Sequence, residues 1–266
     1  MRKAYIDGRF GQMHVRMAGN QAAAKRPLLC FHLSPVSGVI YEKWIDEMGR
    51  DRLALAPDTP GYGMSDAPAT PPAIADYAAA MGDVADALKL SAFDVMGYHT
   101  GSKIAVEIAR QRPRQVKHLI LMSAPIYTED DLKRQHIVNS IPDVDSEGHF
   151  LTDAWKTLVQ FQDKRANLHD TMKQFPDHLR GGEKRGWGHR AAFSYTYPDT
   201  IIDVTAPILV FNPDDDLRDY TPRITPYLKN GRVKDLPGWS HQLLDLSTTE
   251  MAQMVRAFLD EDRFPD

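Results

Sequence analysis

The sequence predicts an α/β fold: a mostly parallel, doubly wound sheet of about eight strands carrying a helical insertion. Three observations predict it. Short apolar runs alternate with longer segments of helical periodicity, which implies parallel strands joined by right-handed crossovers. One of those runs passes through Gly97-Tyr98-His99-Thr100-Gly101 straight into a helix, the context of a sharp turn that exposes its central residue. After residue 124 the alternation stops, and it resumes near residue 204.

The elements justify this in order. Residues 3 to 18 alternate around Asp7-Gly8, a dipeptide that favours a tight hairpin, so Lys3–Asp7 and Gln12–Met17 read as antiparallel edge strands. Pro27–His32 is a continuous apolar run of the kind buried on both faces. A turn-rich loop, Leu33-Ser-Pro-Val-Ser-Gly38, leads to a helix over Ile40–Met48. The strand Arg52–Ala56 ends in Pro57-Asp-Thr-Pro-Gly-Tyr-Gly-Met-Ser-Asp66, dense in Pro and Gly. Within Pro71–Leu90 the apolar residues Ile74, Tyr77, Ala78, Met81, Val84, Ala85 and Leu88 fall on one helical face. Phe93–Gly97 is the strand entering the sharp turn, and the helix that follows stops before Pro113. Val116–Met122 gives another buried strand.

From 125 to 203 the composition turns polar and helical, with Trp155, Phe161, Met172, Phe175 and Trp187 spread through it. So long and patterned a stretch reads as a helical lid inserted above one end of the sheet, dividing the core into residues 1–124 and 204–266. The sheet resumes at Pro207–Phe211. A helix around Tyr220–Lys229 leads to the last strand, Arg232–Leu236, and a helix from about Thr248 to Leu259 closes the chain.

Composition bounds the function. At 266 residues, 42% hydrophobic and 26% charged, the chain supports one substantial core. A formal net charge of -4 gives no electrostatic reason to expect nucleic acid or an anionic membrane as partner. The single cysteine, Cys30, sits in an apolar run and excludes an internal disulfide. Met1-Arg-Lys-Ala-Tyr-Ile-Asp7 lacks the apolar stretch of a signal peptide, and no run approaches the roughly 18 residues of a membrane span. A soluble cytoplasmic protein is expected.

In open α/β sheets ligands bind where the strands end. Four strand-end loops there carry suggestive groups: Ser34, His99, the Asp cluster 214 to 216, and His241. Their chain order, turn residue then acid then histidine, resembles the α/β-hydrolase superfamily over nearly the whole length. His32-Leu-Ser-Pro35 is similar to the family's oxyanion loop, with Leu33 in place of the usual glycine. The resemblance implies that the backbone N–H groups of Ser34 and Thr100 bind a developing oxyanion. Pro57 to Asp66 looks like a largely structural family loop. Asn212-Pro-Asp-Asp215 matches the strand-end acid pattern and points to Asp215, leaving Asp214 and Asp216 as solvated turn residues. Gly238-Trp-Ser-His241 resembles the histidine loop, so Asp215 is expected to orient His241. His189 is a candidate pocket residue, whereas His14, His118, His136, His149, His169 and His178 read as solvent-facing or partnered.

Where the family carries serine at the nucleophile elbow, this chain carries His99. The acyl-serine route is therefore closed at this position. His99 could attack the carbonyl itself. Alternatively, His99 and His241 act as an acid-base pair on water or substrate, sharing at most one extra proton near neutral pH. The expected activity is cofactor-independent hydrolysis of a small, partly apolar ester, lactone or activated C–C bond. A lyase or decarboxylase, or a ligand receptor without turnover, would use the same pocket. The distant loops and the lack of a His-x-x-x-His spacing argue against a metal site.

Overall fold

The apolar runs pair side by side as their patterning requires. The computed structural model describes residues 1–138 and 144–265, the side chains of 136–138 excepted. Among the described residues the strands are β1 (Arg2–Gly8), β2 (Gly11–Ala18), β3 (Leu28–Phe31), β4 (Ala54–Pro57), β5 (Phe93–Tyr98), β6 (Val116–Met122), β7 (Ile208–Pro213) and β8 (Gly231–Leu236). They form one sheet in the order β1-β2-β4-β3-β5-β6-β7-β8. The β1–β2 and β2–β4 pairs are antiparallel, and every pairing from β4 to β8 is parallel. The sheet thus has the mixed edge expected from the Asp7-Gly8 hairpin.

Successive residues of the central strands point to opposite faces, so each strand feeds two cores. Leu29, Phe31, Val95, Leu119 and Leu121 pack on one face with Tyr77 and Met81 of α2 (Ile74–Ala87) and Ile104 and Ile108 of α3 (Thr100–Gln111). Leu28, Cys30, Met96, Ile120 and Met122 pack on the other with Trp44 of α1 (Glu42–Met48) and Phe258 of the closing helix (Thr248–Glu261). Cys30 is fully buried, as an unpaired small hydrophobe should be.

Between β6 and β7 the chain forms α4 (Glu129–Val138), α5 (His149–Phe161), α6 (Leu168–Arg180), α7 (Trp187–Phe193) and α8 (Tyr197–Ile201). The expected helix over Ile40–Met48 divides into a 3-10 turn, Gly38–Tyr41, followed by α1. The segment expected as a helix around Tyr220–Lys229 is a 3-10 helix over Thr221–Tyr227 with Pro226 inside it. Proline has no N–H to donate and blocks regular α-helical bonding there. A short α9 (Leu243–Leu246), not legible in the apolar pattern, intervenes between His241 and the closing helix α10 (Thr248–Glu261). No helix of the described residues is long and apolar enough to cross a membrane.

Candidate active site

The turn between β5 and α3 places His99 at its apex with φ 50° and ψ -112°. A side-chain-bearing residue rarely adopts this conformation, and it persists only where its surroundings enforce it. They do so by close approach. A Cβ on Gly97 would lie 2.1 Å from the Gly101 carbonyl oxygen, and a Cβ on Gly101 would lie 2.0 Å from that of Phe31. Only glycine fits at either place. The backbone N–H of His99 donates to Met122 O at 3.0 Å, and Ser102 Oγ donates to His99 O at 2.6 Å. Ser102 is wholly buried and also accepts from the Tyr197 hydroxyl. Its hydrogen bonds hold the turn.

The three loops bearing His99, Asp215 and His241 converge. The His99 and His241 ring centres lie 5.3 Å apart with their planes inclined at 60°. His99 Nε2 is 3.0 Å from Asp215 Oδ2. Asp215 is held from behind, accepting from Ser123 Oγ at 2.5 Å and from the Leu217 N–H at 2.9 Å. His241 Nε2 is 3.0 Å from Asp216 Oδ1, and its Nδ1 is 3.3 Å from the Tyr98 hydroxyl.

This corrects the expected pairing. Asp215 serves His99, while Asp216, expected to be a solvated turn residue, faces His241. Adjacent residues leaving a strand end point in different directions, and here both directions are occupied by an imidazole. Asp214 alone acts as a turn residue: it pairs with Arg218 and accepts from the Gly238 N–H.

The electrostatics follow the pairing. Burial opposes ionisation of Asp216, but the nearby His99 and the hydrogen bond to His241 hold its carboxyl well below the usual range. Burial would lower the His241 pKa. The hydrogen bond and charge of Asp216 outweigh it and raise the value. Burial pushes both His178 and His189 down to about 4, so these rings are neutral near pH 7.

A cavity of about 400 Å³ opens over these groups. His99, Asp216 and His241 line its base; Leu158 and Phe161 of α5 and His178 of α6 line the opposite wall. His189 reaches it as expected and bonds to the Ser34 backbone. His178, expected to be solvent-facing or partnered, lines the cavity too. His14 and His118 are instead buried against Asp58 and Asp94, and His149 pairs with Asp145 at the surface. The His136 side chain lies outside the described residues.

Ser34 also borders the cavity. Thr100 opens α3, where the first N–H groups lack an intrahelical acceptor. The loop carrying Ser34 is fixed by His32, whose Nε2 accepts from the Thr59 N–H at 2.8 Å. Asp58, in the proline-rich loop, is fully buried and accepts from Arg16 at 2.6 Å and from the Gly38 and Met64 N–H groups. These bonds anchor that loop against β2 and the turn at Gly38. Sequence reasoning passed over Tyr98 and read Asp216 only as a turn residue. Their only signal was adjacency to residues already singled out.

The family model described as the alpha/beta hydrolase fold matches residues 26–216. The chain belongs to the α/β-hydrolase fold family. Within it, the chain is 30% identical over 115 residues to a 2-hydroxymuconate semialdehyde hydrolase of a Pseudomonas species, covering 41% of this chain and 40% of that protein. It is 25% identical over 257 residues to a non-heme chloroperoxidase of Streptomyces lividans, covering 88% and 91%. An uncharacterised protein of Mycobacterium tuberculosis is 37% identical over 76 residues, 29% of this chain and 22% of the relative. The matches to the first and third of these relatives therefore span less than half of their length. Among solved structures, an enol-lactonase from Burkholderia xenovorans superposes with TM-score 0.79 at 13% identity, covering 96% of this chain and 99% of that one. A meta-cleavage product hydrolase from Pseudomonas fluorescens gives 0.79 at 15% identity, covering 98% of each. At such identities the structural likeness bears on the fold alone.

Proposed function

We propose that this α/β-hydrolase-fold protein hydrolyses a small, partly apolar ester, lactone or activated C–C bond by direct attack of water, without an acyl-enzyme. The observation that carries the reading is that each of two facing imidazoles has its own carboxylate: Asp215 for His99 and Asp216 for His241. A single triad needs one such pair. Two pairs supply a base and an acid together.

In this reading His99, oriented by Asp215, takes a proton from water as the oxygen attacks the carbonyl carbon. The oxyanion is met by the N–H groups of Ser34 and Thr100. His241 is bonded at both ring nitrogens, to Asp216 and Tyr98, an arrangement that suits the protonated ring. It donates its proton to the leaving oxygen or carbon. The proton gained by His99 then returns the pair to its starting state, so no net proton is stored. Helices α4 to α8 serve as the lid, and the cavity volume suits a small substrate. The 30% identity over 115 residues to a 2-hydroxymuconate semialdehyde hydrolase supports the inclusion of activated C–C bonds.

A panel of small aryl esters, enol-lactones and dienoate C–C substrates tests this, read alongside His99→Ser and a serine-directed fluorophosphonate. Turnover by the native protein without covalent labelling is expected, and His99→Ser should lose it. A native protein inert on the whole panel, or one labelled and silenced by the fluorophosphonate, would sink the proposal.

A further inference from the structure

His99, Asp215, Asp216 and His241 each present one nitrogen or oxygen, and these atoms all lie within 4.8 Å of one another. His99 Nε2 stands 3.0 Å from Asp215 Oδ2 and 3.9 Å from Asp216 Oδ1, which is itself 3.0 Å from His241 Nε2. Atoms bound at about 2.1 Å to one cation stand roughly 3 to 4.2 Å apart. The widest separation must therefore close by roughly 0.6 to 1.4 Å, within the reach of side-chain rotation, for all four atoms to bind one ion.

Charge points the same way. Two carboxylates meet at the base of a cavity whose described lining contains no lysine or arginine, and residues 136–143 hold none in the sequence. Asp215 and Asp216 form ion pairs with the imidazoles of His99 and His241. A dication bound among them would neutralise both carboxylates. The surroundings also resemble those of ligands held for a metal. His241 offers Nε2 inward while its Nδ1 meets the Tyr98 hydroxyl, and Asp215 is anchored by Ser123 and the Leu217 N–H. His99, Asp216 and His241 border the cavity, so positions not taken by protein would face solvent or ligand.

We propose that these four side chains form a binding site for one divalent transition-metal cation of the zinc class. Two imidazoles with two carboxylates suit Zn²⁺, Co²⁺ or Mn²⁺ better than the oxygen-seeking Mg²⁺ or Ca²⁺. The site replaces the earlier expectation of none, which rested on sequence spacing; convergence of three strand-end loops makes that spacing irrelevant. It rests on the cluster's geometry and charge rather than on the hydrolytic reading. A bound cation takes the Nε2 atoms that Asp215 and Asp216 otherwise hold, so the ion-loaded form and the two imidazole–carboxylate pairs exclude one another.

The test is titration of the chelator-treated, dialysed full-length protein with ZnCl₂ by calorimetry and with CoCl₂ by visible absorption. One ion per chain is expected, with a dissociation constant below about 10 μM and the d–d bands of a nitrogen- and oxygen-ligated Co²⁺. His99→Ser and Asp216→Asn should each weaken binding by about 100-fold, and Tyr98→Phe by about tenfold. A surface control, His149→Ala, should leave it unchanged. Circular dichroism confirms that each variant is folded. No binding at 100 μM metal on the order-of-magnitude scale above, or equal binding in the folded His99→Ser and Asp216→Asn proteins, would overturn the site. Hydrolysis is measured separately in chelator, so failure of metal binding and failure of turnover are read independently.

Discussion

At position 99 the backbone and the side chain make separate demands. The positive φ is tolerated because Gly97 and Gly101 allow strand and helix to close, while the ring projects to Asp215 and toward His241. The two carboxylates are consequently not interchangeable. Asp216→Asn removes the acceptor for His241 and is expected to lower kcat by about 100-fold, with a small change in KM, in steady-state assays of the best ester. Ser123→Ala removes only a support of Asp215 and should cost about tenfold. A Ser123→Ala loss larger than that of Asp216→Asn would mean that the roles are assigned the wrong way round. The legible part of the site was His99, whose type is unusual for its place, and His241, whose loop position after the last strand matches the family's histidine. The split between Asp215 and Asp216 was not legible, because neighbouring aspartates differ only in the direction the turn gives them.

The elements hold this arrangement by tight contact rather than by propensity. Gly101→Ala would force α3 away from the Phe31 carbonyl, and a loss of about 3 kcal/mol is expected in urea unfolding. A loss below about 1 kcal/mol would show that the strand-to-helix closure can relax. Away from the site, His118 on β6 bonds Asp94 on β5 at 3.1 Å and Asp262 at 2.7 Å, tying the closing helix to the sheet. Burial would lower its pKa, but the two carboxylates outweigh this and raise it. Because the folded value lies above the unfolded one, its contribution is complete below about pH 6.5 and is lost as pH rises through the folded value. His118→Gln should therefore cost about 1 to 2 kcal/mol near pH 5.5 and less near pH 9, measured by thermal or urea unfolding at both pH values. An equal cost at the two would contradict the assignment. The central strands were readable as continuous apolar runs buried on both faces, the edge hairpin by its alternation, and the long amphipathic helices by their 3.6 period. The 3-10 turns at Gly38–Tyr41 and Thr221–Tyr227 were not, since they are set by proline and by local hydrogen bonds.

Across the whole molecule, the loops leaving the sheet carry His99, Asp216 and His241 into the cavity, and the helices inserted between β6 and β7 line it with Leu158, Phe161 and His178. Phe161 stands over His241 at 6.4 Å between ring centres. Phe161→Ala is expected to raise KM for apolar substrates by about tenfold with kcat little changed, since its contact is equal in ground and transition states. A fall confined to kcat would show instead that it positions His241. The division of labour was visible as the break in strand-helix alternation, but the identity of the wall residues was not, because amphipathic helices reveal which face is apolar and not what it faces. The central claim is that two imidazole-carboxylate pairs act as one unit. Its most direct measurement is kcat/KM for one hydrolysed ester in the native protein, His99→Ala, His241→Ala and the double variant. Each single variant should lose about 100-fold or more, and the double should be no worse than the weaker single. Native activity retained in either single variant, or losses that simply multiply in the double, would contradict it.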